Sequence, residues 1–323
     1  KTNSRKYRRS IRKLKRKILK NAYVSLLRFL PIKRDKIVFC NFSGRGYGDN
    51  PKYIAEEIHK RKLNVDMVWL CADAKAIFPE YIRPVKMWSL QHYFELATAH
   101  AIISNVRIDL GVEKRKAQTY LQTWHAPFSP KKLEGEAVET LKKEYLISAK
   151  HDGAITDGII SNSHLLDEQY KRAFWLNKDA KILKIGLPRN DFLINNADNK
   201  ALITNIREKI NIPSEAYVVL YAPTFRDDYT TNGYKLDFEK VRKAFETRFG
   251  KPCWMLIRLH PNARRQVNEI EFTSEIIDMT SYPDIQELSI ASDVVISDYS
   301  SSVFDFSTMG KPAFICALDL QHY

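Results

Sequence analysis

The 323-residue chain has no apolar run of the ~18 residues that a bilayer-spanning helix needs. Cysteine is scarce. Cys40, Cys71, Cys253 and Cys316 each sit in an apolar, strand-like run and no CxxC spacing occurs. A disulfide or zinc framework is thereby excluded, and small buried hydrophobes in a reducing compartment are the expectation. No secretory signal is visible, because the basic start leads into a mixed segment without a cleavage-like site. An initiator Met is also lacking, so the chain is expected to begin inside a longer polypeptide. Low-complexity tracts, solenoid-period repeats and carboxylate clusters suited to a metal are absent, so no cofactor and no metal are expected. Acid is missing from residues 1–34, which hold 14 Lys or Arg; residues 35–323 then carry 38 basic and 38 acidic residues. The net charge of +14 therefore belongs to one end, on a composition (44% apolar, 28% charged) that suits two globular domains.

That basic end has a pattern. Tyr7, Ile11, Leu14, Ile18, Ala22, Leu26 and Phe29 recur at spacings of three and four, separated by Arg8, Arg9, Arg12, Lys13, Lys15, Arg16, Lys17 and Lys20. The spacing predicts an amphipathic helix over residues 5–30 with a cationic face, suited to an anionic membrane surface. Each Lys or Arg near such a surface contributes about 1 kcal/mol. A nucleic-acid arm needs no regular apolar stripe, and the remainder is neutral and without RNA-type aromatic motifs, so no nucleic-acid partner is expected. A solvated helix packing on its own domain is the other alternative.

From Asp35 an α/β alternation begins. Strands are predicted at Lys36–Phe42, Met67–Ala72, Ala101–Ser104, Tyr120–Trp124, Ala154–Asn162 and Lys181–Ile185, and helices at Lys52–Lys62, Leu90–Ala99, Lys131–Ser148 and Leu165–Phe174. The Gly-rich turn from Ser43 to Pro51 fits a backbone necessity, a phosphate cradle or an acceptor-side loop. Gly186-Leu187-Pro188-Arg189-Asn190-Asp191 breaks the pattern and suits an interdomain hinge. Beyond it come strands at Val218–Ala222, Trp254–Leu259, Glu275–Met279, Asp293–Ser297 and Ala313–Ala317, with helices at Phe238–Phe249 and Asp284–Ala291. The expected architecture is α/β of the GT-B type, two Rossmann-like domains with a cleft between them. Residues 1–34 form the membrane-associating helix, 35–186 the N-terminal domain and 187–323 the C-terminal domain.

Open α/β sheets bind ligands at the carboxyl ends of their strands. Four polar turns fall there. Asp298-Tyr299-Ser300-Ser301-Ser302 leads into a helix whose start offers N–H groups and hydroxyls to a phosphate; a serine capping that helix fits equally well. Thr123-Trp124-His125, Pro223-Thr224-Phe225-Arg226 and Arg258-Leu259-His260 close three further strands. A histidine can take a hydroxyl proton near neutral pH, and arginine binds phosphate oxygens through paired hydrogen bonds. Any single histidine is more often structural, as His59, His92, His100, His151, His164 and His322 are taken to be. The coincidence of equivalent turns singles out His125 and His260.

Gln122-Thr123-Trp124-His125, Gly186 through Asp191, Tyr221 through Asp227, Arg258-Leu259-His260-Pro261 and Ser297 through Phe306 resemble, in order, the motifs of the CDP-glycerol glycerophosphotransferases: teichoic-acid primases, polymerases and related capsule enzymes. The resemblance covers roughly residues 38 to 323 and implies transfer of a polyol phosphate from CDP-glycerol or CDP-ribitol to a hydroxyl on a lipid-linked glycan acceptor, releasing CMP. It also implies a monotopic, peripheral enzyme at the cytoplasmic face of the plasma membrane. The donor diphosphate would lie on Ser300, Ser301 and Ser302, with Arg226 and Arg258 bearing its charge and Thr224 and Arg189 as further contacts. Asp305 would bind ribose hydroxyls. His125 would deprotonate the acceptor, and His260 would stabilise the transferring phosphoryl or the CMP leaving group. Two departures stand out. Ala126 replaces the family's usual glycine, and the chain stops at Tyr323 where relatives continue, so a C-terminal piece is expected beyond it. A GT-B glycosyltransferase using a nucleotide sugar, and a non-catalytic membrane scaffold, are the alternatives.

Overall fold

Apolar strands that bury both faces, alternating with amphipathic helices, build two parallel sheets. The computed structural model describes residues 18–73, 76–109, 111–126, 132–224, 236–260, 263 and 266–320. The chain divides into two compact units, with the main boundary between Ile185 and Gly186.

In the first unit, β1 (Lys33–Cys40), β2 (Asp66–Cys71), β3 (Ile82–Lys86), β4 (Ala99–Ser104), β5 (Thr119–Gln122), β6 (Gly158–Ser161) and β7 (Lys181–Lys184) pair in parallel in the order β3-β2-β1-β4-β5-β6-β7. The helices are α1 (residues 18–27), α2 (Asp49–Lys60), α3 (Leu90–Thr98), α4 (Lys143–Ile155) and α5 (His164–Ala173). Side chains alternate across the sheet with the two-residue strand period. Val38, Cys40, Val68 and Leu70 pack on one face, and Phe39, Met67, Trp69 and Cys71 on the other. Each fully buried large side chain contributes about 1.5–3 kcal/mol, so these layers carry the unit. Of the predicted basic helix, residues 1–17 lie outside the described residues. Its continuation α1 sets Leu27 against Tyr93 and Ala97 and leaves Ile18, Leu19 and Leu26 exposed.

The second unit repeats the scheme. β8 (Tyr217–Tyr221), β9 (Cys253–Ile257), β10 (Ile276–Asp278), β11 (Val294–Ser297) and β12 (Ala313–Ile315) run parallel in the order β10-β9-β8-β11-β12. Val219, Met255, Ile257, Val294 and Ile296 pack on one face, and Val218, Leu220, Leu256 and Val295 on the other. The helices are α6 (Pro188–Asn196), α7 (Lys200–Lys209), α8 (Phe238–Phe249), α9 (Ile285–Ala291) and α10 (Ser302–Ser307). Helix α8 has the predicted span because both ends are marked. The Asp237 side chain accepts from Lys240 N at 2.9 Å, and Gly250 closes the helix at φ +63°.

Several segments differ from expectation: α7 was not predicted, and the strand expected over Ala154–Asn162 is β6 alone, residues 154–155 closing α4. The helix predicted over Lys131–Ser148 is, where described, two short 3-10 turns (Glu134–Glu136, Val138–Thr140) followed by α4. Glu134 turns inward to pair with Arg107, and α4 runs on through Gly153, where any Cβ would lie 2.1 Å from Phe174 O. β3 was not predicted, because Ile-Arg-Pro-Val-Lys reads as a loop; Pro84 is tolerated on this edge strand. The segment read as a hinge turns at Gly186 (φ +80°) and starts α6, with Pro188 as its first residue.

Candidate functional site

In each sheet the chain leaves the first strand to one side and returns to the other. β1 is flanked by β2 and β4, and β8 by β9 and β11. The switch points are thus β1/β4 and β8/β11, and ligands of such sheets bind beyond the carboxyl ends there.

At the first switch point Cys40 lies level with Ser104, and Gln122 of β5 with Ser104. The residues just beyond are Asn41, Phe42, Asn105 and Thr123-Trp124-His125. Phe42 (φ +41°), Ser43 (φ +56°) and Trp124 (φ +50°) are all left-handed, a conformation unfavourable by on the order of 1–3 kcal/mol for a non-glycine residue and characteristic of functional sites. Trp124 is held in it at both main-chain polar atoms. Its N–H donates to Gln122 Oε1 at 3.0 Å, and its carbonyl accepts from Asn50 Nδ2 at 3.1 Å. Gln122 is oriented by a buried relay, its Nε2 donating to Tyr120 Oη (3.1 Å), which donates to Asp152 Oδ2 (2.8 Å). Burial pushes the Tyr120 phenol well above its usual range and Asp152 adds to this, so it remains a neutral donor. Asp152 and Glu134 both pair with the buried Arg107.

His125, half-buried, packs its ring against Phe42 (5.4 Å between centroids) and Trp124 (4.3 Å). Its Nδ1 lies 2.8 Å from the Asn105 carbonyl oxygen. A carbonyl only accepts, so Nδ1 carries a proton, and in the neutral form of the ring the lone pair is on Nε2. That is the tautomer of a proton acceptor.

At the second switch point Tyr221 stands level with both Ile257 and Ile296. Thr224 and His260 follow three residues beyond that line, and Ser300 four beyond. The β8 and β11 turns are stapled together: Ser297 Oγ donates to Ala222 O (2.5 Å) and Thr224 N donates to Asp298 Oδ1 (2.8 Å). Arg258 N donates to Tyr221 O at 2.8 Å, and its guanidinium reaches Tyr282 O at 3.2 Å. His260 is exposed, and its carbonyl accepts from Ala263 N at 2.7 Å. Ser300 Oγ accepts from Ser302 N (3.3 Å) and lies 2.9 Å from Ser302 Oγ, one residue ahead of the N-cap position Ser301. The Ser301 hydroxyl makes no capping bond among the described residues.

Thus Thr224, Arg258, His260 and Ser300–Ser302 gather along one sheet edge. Arg226 lies outside the described residues. Arg189 on α6 and Asp305 on α10 are instead turned toward each other, Nη2 to Oδ2 at 2.7 Å, with side chains 2% and 7% exposed. Asp305 is drawn inward because Val303 and Phe306 on either side of it form the buried face of α10. The geometry makes this pair a brace between two helices. The sequence assigned no individual role to Asn41, Asn50, Asn105 or Asp298. An Asn or Asp just past a strand reads as turn chemistry, and only the strand order brings Asn41 to Asn105.

Two doubly wound parallel units in one chain, each with its polar groups at the switch point, define an α/β protein of the GT-B class. The chain belongs to the CDP-glycerol:poly(glycerophosphate) glycerophosphotransferase family, whose model matches residues 22–323. It is 32% identical over 303 residues to a teichoic acid poly(glycerol phosphate) polymerase of Staphylococcus epidermidis, covering 90% of this chain and 41% of that protein. A teichoic acid glycerol-phosphate transferase of Staphylococcus aureus is 30% identical over 313 residues, covering 92% of this chain and 77% of that one. The solved wall teichoic acid polymerase TagF superposes with a TM-score of 0.82 at 31% identity, over 98% of this chain and 80% of its own. A variant of TagF has been soaked with CDPG. The chain spans about two fifths of the length of the first of these relatives.

Proposed function

We propose that this chain transfers glycerol phosphate, or another polyol phosphate, from a CDP-polyol to a hydroxyl of a lipid-linked acceptor in teichoic-acid or capsule-type polymer synthesis. The observation that carries the reading is the His125 imidazole with Nδ1 2.8 Å from the Asn105 carbonyl oxygen, which makes Nε2 the basic nitrogen of the neutral ring. Family membership and the soaked TagF variant favour a CDP-glycerol donor. The acceptor hydroxyl gives its proton to Nε2 as its oxygen bonds to the distal phosphorus, and the bond from that phosphorus to the bridging oxygen breaks, so CMP leaves. Ser300–Ser302, Thr224, Arg226 and Arg258 hold the diphosphate, and His260 stabilises the transferring phosphoryl or the departing CMP. Arg189 and Asp305 support this edge through α10. The ten Lys and Arg of residues 1–17, with the exposed Ile18, Leu19 and Leu26, attach the enzyme peripherally to an anionic membrane at its cytoplasmic face.

His125→Ala should lower CMP release by roughly 10²–10⁴-fold, the usual contribution of a positioned acid–base group, with CDP-glycerol binding within a few fold. Undiminished turnover in a folded His125→Ala chain would sink the reading. Assaying CDP-glycerol, CDP-ribitol and UDP-sugars side by side settles the donor, and turnover of UDP-sugars alone would make the chain a glycosyltransferase.

A further inference from the structure

One side chain joins the two turns of the first switch point. Asn105 is fully buried at the end of β4. Its Oδ1 accepts from Phe42 N at 2.8 Å, and its Nδ2 donates to Asn41 Oδ1 at 2.8 Å. Asn41, buried at the end of β1, donates in turn to Arg45 O at 2.9 Å, while its own carbonyl accepts from Gly44 N (2.8 Å) and Arg45 N (2.9 Å). The amide pair thus locks the Gly-rich turn to the end of β4. The left-handed Phe42, whose ring lies against the imidazole, is held by the same Asn105 oxygen. The main-chain carbonyl of Asn105 is the group that receives His125 Nδ1–H. Asn105 therefore grips the scaffold with its side chain and the imidazole with its backbone.

We propose that Asn105 is a positioning residue for His125: the Asn41–Asn105–Phe42 clamp fixes the carbonyl that selects the Nδ1–H tautomer and keeps the lone pair on Nε2. The kinetic consequence rests on the transfer reaction proposed above; the tautomer does not. A carbonyl displaced by a fraction of an ångström or rotated away loses Nδ1–H, and an imidazole so released reverts toward the Nε2–H form that free histidine prefers. That form presents a proton where the reaction needs a base.

The test is a nitrogen-15 long-range correlation spectrum of the full chain, labelled at histidine and recorded where the rings are neutral. The His125 signals are assigned by their loss in His125→Gln. Wild type should show the Nδ1–H form, and Asn105→Ala and Asn41→Ala should move His125 toward Nε2–H. CMP release should fall about 10–100-fold with CDP-glycerol affinity within about two-fold, a split that general loosening of the fold would not give. A wild-type Nε2–H ring overturns the proposal, as does an unchanged tautomer in the folded Asn105→Ala chain. If Asn105→Ala does not fold, Asn41→Ala decides the matter by the same spectrum. A tautomer shift in a protein that never releases CMP from CDP-glycerol leaves the positioning role standing and removes the transferase reading instead.

Discussion

Replacing Arg189 with Met would leave the Asp305 carboxylate buried opposite a thioether. The pair spans 2.7 Å between side chains at most 7% exposed. Removing one member of such a pair typically costs about 3–5 kcal/mol, because the remaining charge has lost a close ion-pair contact in a low dielectric. Against a typical folding free energy of about 5–15 kcal/mol that is a large fraction. At about 2–4 °C per kcal/mol it lowers the melting temperature by roughly 6–20 °C. The double variant Arg189→Met/Asp305→Leu removes both charges and should regain most of that loss, since an apolar pair of similar volume is often no less stable. Thermal melts of wild type, both single variants and the double variant close the cycle and give the coupling directly. Donor binding to the folded double variant then separates brace from substrate contact. A brace predicts CDP-glycerol affinity within a few fold, whereas two direct contacts predict a loss of tenfold or more. A melting temperature for Arg189→Met within about 2 °C of wild type would refute the argument, because a shift that small corresponds to no more than about 1 kcal/mol.

Glu95, 1% exposed, is pushed up by burial, but hydrogen bonds from Arg83, Lys36 and Gln91 outweigh this and hold its pKa at about 2, below its ordinary 4.5. A depressed carboxylate stabilises the fold above the unfolded value and loses that contribution as the pH falls. The effect is on the order of 3 kcal/mol, present above pH 4.5 and lost toward pH 2. Denaturant melts should therefore show Glu95→Gln well below wild type near neutrality and the gap narrowing through that window; a constant gap contradicts it. Gly44 sits at φ +88°, and a Cβ there would lie 2.8 Å from Ala72 N, so Gly44→Ala should cost more than about 2 kcal/mol in the same melts. Deleting residues 1–17 should move the protein from the pellet to the supernatant when it is sedimented with anionic liposomes. An unchanged pellet fraction would place the membrane contact elsewhere.

The strands were legible because parallel, doubly covered strands are continuous apolar runs, and Tyr-Val-Val-Leu-Tyr or Cys-Trp-Met-Leu-Ile admits few other readings. Helix α8 was legible to the residue because Asp237 and Gly250 mark its ends. Helices α6 and α7 were not, since proline, asparagine and aspartate there read as loop formers, whereas Pro188 and Asn199 serve as helix starts. The turns at the strand ends were legible by position, since each follows a strand-like run. What stayed hidden was pairing at a distance. Asn41 and Asn105 are 64 residues apart in the chain, and Arg189 and Asp305 are 116 apart. Residue type shows that such groups will seek partners, but only the topology says which.

The placement of β1 inside its sheet has a consequence during synthesis. One edge of β1 is covered by β2 soon after it emerges, while the other waits for β4, which ends at Ser104. At about 5–20 residues per second, the roughly 60 intervening residues leave that edge bare for some 3–12 s. It carries Ile37, Val38 and Phe39, the kind of unsatisfied apolar strand on which neighbouring nascent chains aggregate. Chains released after residue 98 should accordingly be found with chaperones or in inclusion bodies, and chains released after residue 185, with β4 through β7 in place, should be recovered in solution.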